Sequence, residues 1–463
     1  MLFNSQVFIL AFLPIVLALY YGLARRGIAR EWMLIIASLI FYGWWDVRFL
    51  PLLVGQTVIT WALAEWHFKA RRAGRAGHLP LWIGIIGNLA VLGLYKYLDF
   101  MVEAVELASG LNLPRAELIL PIGISFYTFQ KVSYLVDILR GEGPRYGFRR
   151  FSLFVVLFPQ LVAGPIVRHN EIMGEFDRDP LRPGVGERLA KGFVVFVAAL
   201  VAKVFIADRL AGIADPAFAA AGAGVPSLSI AAQGLLAFGL QIFFDFAAYS
   251  EMAIGIAMMM GIALPMNFNQ PYRATNLQDF WRRWHMTLSR FLRDYLYIPL
   301  GGSRHGPAVF VFASLATMGL CGLWHGAGFT FILWGLAHGI GLIVVRGWRH
   351  LGLTLPAPFG WLMTVGFVIL TFGLFRAPDL ASAGNMFVGL TGAAGLGEAW
   401  PVGTLAVFAI ASAIALMPEP VLVVVQRWRR PSRLVAAGTA AACAFTVLTL
   451  GRGAPQSFIY FQF

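Results

Sequence analysis

Charge is scarce in this chain. Of its 463 residues only 13% are Asp, Glu, Lys or Arg, against about 25% in ordinary soluble domains. Acidic residues number 23, and of the 36 basic residues only five are Lys. So little polar material cannot cover a water-soluble protein of this length, and the 59% hydrophobic content exceeds the roughly 45–50% of soluble folds. Cysteine is nearly missing too. Cys321 and Cys443 stand singly in apolar stretches, which excludes a disulfide framework and a cysteine-based metal centre. No other metal-ligand spacing occurs, so no metal is expected. Tandem repeats, low-complexity runs and a separate polar domain are also missing, and the chain reads as one membrane domain over 1–463.

What is present in quantity is long apolar runs. A helix needs about 20 mostly apolar residues to cross the hydrocarbon core. The spans expected are 5–23, 32–46, 49–66, 79–98, 118–136, 192–207, 229–262 (as a bent pair), 307–323, 328–345, 359–375, 401–425 and 434–450. The fold class is therefore all-α: a polytopic integral membrane protein with about 11–12 transmembrane helices plus re-entrant and interfacial helices. The first run is too long for a signal peptide and lacks a basic leader and a small-residue cleavage site, so it is read as retained.

Basic residues cluster at Arg25–Arg30, Lys69–Arg75, Arg140–Arg150, Arg168–Lys191, Arg273–Arg304, Arg346–Arg349 and Arg427–Arg433, together 28 of the 36. Placing all seven clusters on the cytoplasmic side satisfies the positive-inside rule and puts both termini outside, which is the periplasm for a bacterial inner membrane. The net charge of +13 is then topogenic. Lipid is the expected surrounding, and nucleic acid is not an expected partner.

Two stretches do not fit a simple crossing. Phe151–Val167 is apolar but short, carries Pro159, Gly164 and Pro165, and has basic residues on both sides. A segment entering and leaving on one face fits it, provided protein or water surrounds the broken backbone. Pro265–His305 is too polar to span and too rich in Trp and Tyr for an ordinary loop, which suits in-plane helices at the membrane interface.

Ionisable side chains within an apolar protein are costly and point to function. Four groups stand out: Phe280-Trp281-Arg282-Arg283-Trp284-His285 running on to Gly302; Leu323-Trp324-His325-Gly326-Ala327-Gly328; Gln241–Phe246 with Tyr249-Ser250-Glu251; and Leu120–Gln130. His325, at the hinge of two apolar spans, has the chemistry of a general base near neutral pH. Gly326 and Gly328 beside it permit close backbone approach. A core histidine satisfied by a carbonyl explains the same spacing equally well. His338 lies in a regular helical run and reads as structural. Arg282 and Arg283 beside His285 suit either lipid headgroups or a phosphorylated acyl carrier such as coenzyme A. Asp245 and Glu251, six residues apart, do not share a helix face and are expected to meet separate buried partners.

Taken together these residues resemble the bacterial membrane-bound O-acyltransferase family, in particular its branch serving alginate O-acetylation. The resemblance rests on Met1–Ser5, Phe41-Tyr42-Gly43-Trp44-Trp45, Leu120–Gln130 with Ser133-Tyr134 and Asp137, Phe158–Ile166, Ile206–Arg209, Gln241–Gly255, Asn267-Phe268-Asn269 with Pro271-Tyr272, Phe280–Gly302, Leu323–Gly326 and Phe458–Phe463. It is weakest across 350–450. Arg-Arg-Trp-His followed by Trp-His-Gly is its most specific part. Departures are Glu251, where the family more often has Asp, and Ala247-Ala248 in place of Ser-Gly.

The resemblance implies helices around a central tunnel, with His325 and His285 as catalytic residues. It makes Arg282, Arg283, Trp281, Asn267, Asp245 and Tyr249 candidate donor- or substrate-binding side chains. No bound cofactor is implied; acetyl-CoA or another acyl thioester is the expected co-substrate. The implied acceptor is an extracytoplasmic, alginate-like polysaccharide reached through a periplasmic partner acyltransferase. Cellulose, peptidoglycan and D-alanyl transfer to teichoic acid are the alternatives, and the Arg-over-Lys bias disfavours the last. A transporter or flippase would show inverted repeats, whereas both histidine motifs occur once, in the second half.

Overall fold

A computed structural model of the chain describes all residues except 76, 429–431, 452–455 and 460–463. The described residues form helices and turns and no strand. Among the described residues seven helices are long and apolar enough to cross a membrane: α1 (Val47–Arg72), α2 (Leu79–Ser109), α3 (Val185–Ala223), α4 (Leu228–Met259), α5 (Pro307–His325), α6 (Phe329–His350) and α7 (Ala357–Arg376). Phe8–Gly22, Val402–Ala415 and Leu434–Leu450 are shorter apolar helices. Large side chains such as Ile59, Ile86, Phe359 and Met363 stay more than half exposed. Apolar exposure on this scale is what lipid, and not water, accommodates. The protein is a multi-pass membrane protein.

Four expected spans take a different form. Residues 229–262 make the single continuous helix α4 and not a bent pair: no proline interrupts Leu228–Met259, and Gly234, Gly239 and Gly255 are tolerated inside it. The expected 192–207 span extends to Ala223 as α3. A π-bulge at Lys203–Ala207 carries the helix onward, and Pro216 is absorbed further along. Residues 401–425 break between Val402–Ala415 and Val421–Arg427, where Pro418 and Pro420 remove backbone donors. The 118–136 span begins its helix only at Ile124.

The chain forms two compact units. One comprises Met1–Val197, Tyr249–Pro265 and Trp428–Ser457. Within it, Phe151–Val167 is a broken segment, a helix Phe148–Val156 followed by the single turn Phe158–Leu161, and every residue of it is buried. The break costs intrahelical bonds that side chains restore. The Ser38 hydroxyl accepts from Phe158 N at 3.0 Å, and Gln160 Nε2 donates to Phe154 O at 2.6 Å. Irregular backbone is thus satisfied by protein, as an apolar surrounding demands. The basic end ahead of the segment is tied by Arg149–Glu31 (2.6 Å), Arg150–Asp177 (2.7 Å) and Arg145–Glu65 (2.5 Å).

The other unit comprises Ala198–Ala248, Met266–Arg427 and Phe458–Phe463. Its centre is the α5–α6 hairpin. A Cβ on Gly322 would lie 2.1 Å from Phe331 O, and one on Gly335 would lie 2.1 Å from Met318 O. The two helices therefore meet backbone to backbone, and only glycine fits at the crossing. Ahead of the hairpin come two seven-residue helices, Leu277–Arg283 and Met286–Leu292, and a π-turn Arg293–Tyr297, where in-plane helices were expected.

Candidate active site

His285 sits between the two short helices with its backbone in the left-handed region, φ 42°. A β-carbon is disfavoured there by on the order of 1–3 kcal/mol, so surrounding bonds must hold it. Asn267 supplies them. Its carbonyl oxygen accepts from Met286 N at 2.9 Å. Its side-chain oxygen accepts from His285 Nδ1 (3.1 Å), Thr287 N (3.3 Å) and Thr287 Oγ1 (2.9 Å). An oxygen receiving these bonds fixes the proton of His285 on Nδ1, which leaves the lone pair of the neutral ring on Nε2. Burial pushes the His285 pKa down to about 3, so the ring is neutral throughout the physiological range.

His325 ends α5, 3% exposed, just before the Gly326–Gly328 turn. Its ring lies in an aromatic box of Trp324 (4.9 Å between centroids), Trp334 (5.2 Å) and Phe375 (5.1 Å). Trp324 also faces His285 at 6.0 Å. Residues 40 apart in sequence are thus brought to a shared indole. Phe246, at 4.7 Å from the His285 ring, closes its other side.

His338 is fully buried and bonded at both nitrogens. The Trp281 indole N–H donates to Nδ1 at 3.3 Å, so Nε2 carries the proton and faces the Thr371 hydroxyl at 3.1 Å. That hydroxyl in turn donates to Val368 O at 3.0 Å. The chain of bonds fixes the indole of Trp281, and the structural reading of His338 accounts for all of it.

A cavity of about 780 Å³ opens beside Trp281, between the short helices and the basic end of the hairpin. Its lining holds five arginines, Arg282, Arg290, Arg293, Arg346 and Arg349, and no acidic side chain. Arg349 is held by Gln278, and the Arg346 guanidinium stands 4.0 Å over the Phe310 ring. Ser314, Thr317 and Met318 of α5 form its inner wall. Such a volume is that of a small-molecule site, and planar, permanently charged guanidiniums suit phosphate groups.

The remaining expected site residues fall elsewhere. Arg283 turns away from the cavity to Asp279, 3.0 Å from both carboxylate oxygens. Asp245 pairs with Lys203 at 2.6 Å and accepts from Ile459 N at 2.7 Å, while Lys203 also meets Asp208 at 2.7 Å. This is a buried ion cluster held by its own partners, with no place in the cavity lining. Tyr249 belongs to the other unit, where it stacks on Phe3 at 4.7 Å. Glu251 is likewise in that unit. Sequence reasoning missed Arg290, Arg293, Arg346 and Arg349 as a group, because each had already been assigned to sidedness. Their recurrence at helical spacing (290 and 293, 346 and 349) was the available signal. Lys203 and Trp334 were missed because each is a single residue in an apolar run.

The fold and these side chains define a polytopic membrane protein whose two histidine motifs meet at the Trp324 indole, beside a cavity lined by five arginines. The sequence matches the membrane-bound O-acyltransferase family over residues 110–384, and the chain belongs to that family. Among its relatives, a protein named "Probable alginate O-acetylase AlgI" from Pseudomonas aeruginosa is 41% identical over 397 residues, 84% of this chain and 74% of the relative. A peptidoglycan O-acetyltransferase from Helicobacter pylori is 39% identical over 433 residues, 86% of this chain and 81% of that one. A teichoic acid D-alanyltransferase from Lacticaseibacillus rhamnosus is 26% identical over 405 residues, 80% and 96% respectively.

Proposed function

We propose that this acyltransferase moves an acetyl group from a cytosolic thioester, acetyl-CoA, to the outer face of a bacterial inner membrane, for O-acetylation of an alginate-like polysaccharide through a periplasmic partner acyltransferase. The observation that carries the reading is the order of groups along the α5–α6 hairpin. Five arginines line a cavity at its basic end, and His325 stands at its turn. In this reading the phosphates of the donor rest among Arg282, Arg346 and Arg349, and the thioester points toward the histidines. All seven basic clusters then face the cytoplasm, with both termini in the periplasm.

The chemistry follows from the box. An acceptor hydroxyl attacks the thioester carbonyl while His325 takes its proton; a C–O bond forms and the carbonyl electrons move onto oxygen. Collapse of that intermediate breaks the C–S bond, and the departing sulfur takes the proton back. General-base help of this kind is worth roughly 10²–10⁴ in rate. The surrounding rings limit the access of water to the thioester and so its hydrolysis. His285, neutral, with its Nδ1 proton committed to Asn267, offers Nε2 as a fixed acceptor to the donor or to the acceptor hydroxyl.

The test is His325→Ala expressed from the native locus. Expected is membrane-inserted protein at normal level and polysaccharide without ester acetate, read by mass analysis; full acetylation would overturn the reading. A second acceptor, peptidoglycan, is favoured by the Helicobacter pylori relative at 39% identity. The same strain distinguishes the two by which polymer loses its acetate.

A further inference from the structure

We infer that Trp334 is a catalytic hydrogen-bond donor, its indole N–H receiving the carbonyl oxygen of the thioester as negative charge develops on it beside His325. The inference rests on the acyl-transfer reading above and deepens it.

Three observations bear on it. The first is position. Leu342, Val345, Arg346 and Arg349 of α6 line the cavity; His338, bonded to Trp281, comes one turn further along; Trp334 comes one turn beyond that, and His325 lies across from it. Leu342 and Trp334 are separated by about 12 Å of helix rise. The Trp334 ring is 6.1 Å from Trp281, 4.8 Å from His338 and 5.2 Å from His325, edge-on to the last at 90°. It therefore stands between the cavity floor and the base.

The second is an orphan donor. Trp334 is 1% exposed, and among the described residues no acceptor lies within bonding reach of its indole N–H. A buried tryptophan N–H ordinarily finds a partner, and leaving one without is costly. Trp281, one ring away, has its partner in His338. An indole carries a donor and no acceptor, so the group it lacks is an oxygen with electron density to give. A thioester carbonyl attacked at His325 is such an oxygen.

The third is fixity. Phe375 packs edge-on against Trp334 at 5.1 Å and against His325 at the same distance. The neighbouring Gly335 locks that turn of α6 against the backbone of α5. A donor held in place before charge develops stabilises the transition state without reorganisation, and in a dry site this effect is large.

The experiment compares the full-length chain in its native membrane with three variants, the rate being read as labelled acetate entering polysaccharide ester in a short pulse. Trp334→Phe keeps a ring and removes the N–H. Benzothienylalanine at position 334 keeps the whole bicyclic shape and replaces only N–H by sulfur. His325→Ala is the control. Expected for both Trp334 variants is a fall of about 10²–10³-fold, with unchanged protein level, unchanged melting temperature in detergent and unchanged dependence on acetyl-CoA concentration in membrane vesicles. If Trp334→Phe fails to fold, the benzothienyl variant alone decides. A benzothienyl variant within twofold of wild type, with His325→Ala dead, overturns the donor role and leaves the acyl-transfer reading intact. A fully active His325→Ala overturns that reading itself.

Discussion

The left-handed backbone of His285 is the residue on which the site's local order depends most visibly. Asn267 holds it with three separate donors on one side-chain oxygen. Asn267→Ala is expected to destabilise the protein by about 1–3 kcal/mol and to lower acetyl transfer at least tenfold, whereas Asn267→Asp, which keeps the acceptor, recovers part of the rate. Thermal denaturation and pulse labelling of the same membranes check both. Burial also gives His285 a pH signature. The unfolded chain takes up a proton below about pH 6.5, and the native ring does not until about pH 3. The stabilisation is thus complete above 6.5 and is lost as pH falls toward 3. Melting temperature is expected to drop across that window, and His285→Gln is expected to flatten the drop. The two histidine motifs were legible in the sequence because a histidine directly after a Trp in an apolar chain is conspicuous. Trp334 was not legible, since its meaning lies in having no acceptor nearby among the described residues, and only a folded structure reveals that. Asp245 was conspicuous for the same reason as the histidines and proved to be paired with Lys203, 42 positions away.

At the scale of elements, the α5–α6 hairpin is fixed by glycines and not by interdigitating side chains. Gly322→Ala or Gly335→Ala places a methyl carbon against a backbone carbonyl, where no rotamer change gives relief. Each is expected to cost several kcal/mol, beyond ordinary overpacking, and to reduce the folded yield sharply, measured by size-exclusion of detergent extracts. Most long helices could be read from hydropathy alone. The errors were local: a π-bulge and Pro216 did not end α3, and Pro418 and Pro420 did end the helix before them. Proline in an apolar stretch is thus ambiguous until the packing around it is known. The broken Phe151–Val167 segment was legible as irregular, but not the Ser38 hydroxyl that satisfies it.

For the whole molecule, the +13 charge has two jobs in the proposed reading: most of it sets sidedness, and five arginines also shape the donor cavity. Arg282→Glu with Arg346→Glu is expected to raise the acetyl-CoA concentration needed for half-maximal transfer at least tenfold while leaving the maximal rate largely unchanged, as vesicle titrations would show. A second whole-chain feature concerns the order in which the protein is made. Asp245 receives the amide of Ile459, 214 residues later, and Lys203 lies 4.7 Å from the Phe458 ring. During synthesis, the carboxylate is committed to the membrane long before its last partner leaves the ribosome. The nascent second unit therefore holds that carboxylate one hydrogen bond short, balanced by Lys203, until residues 458–459 are made.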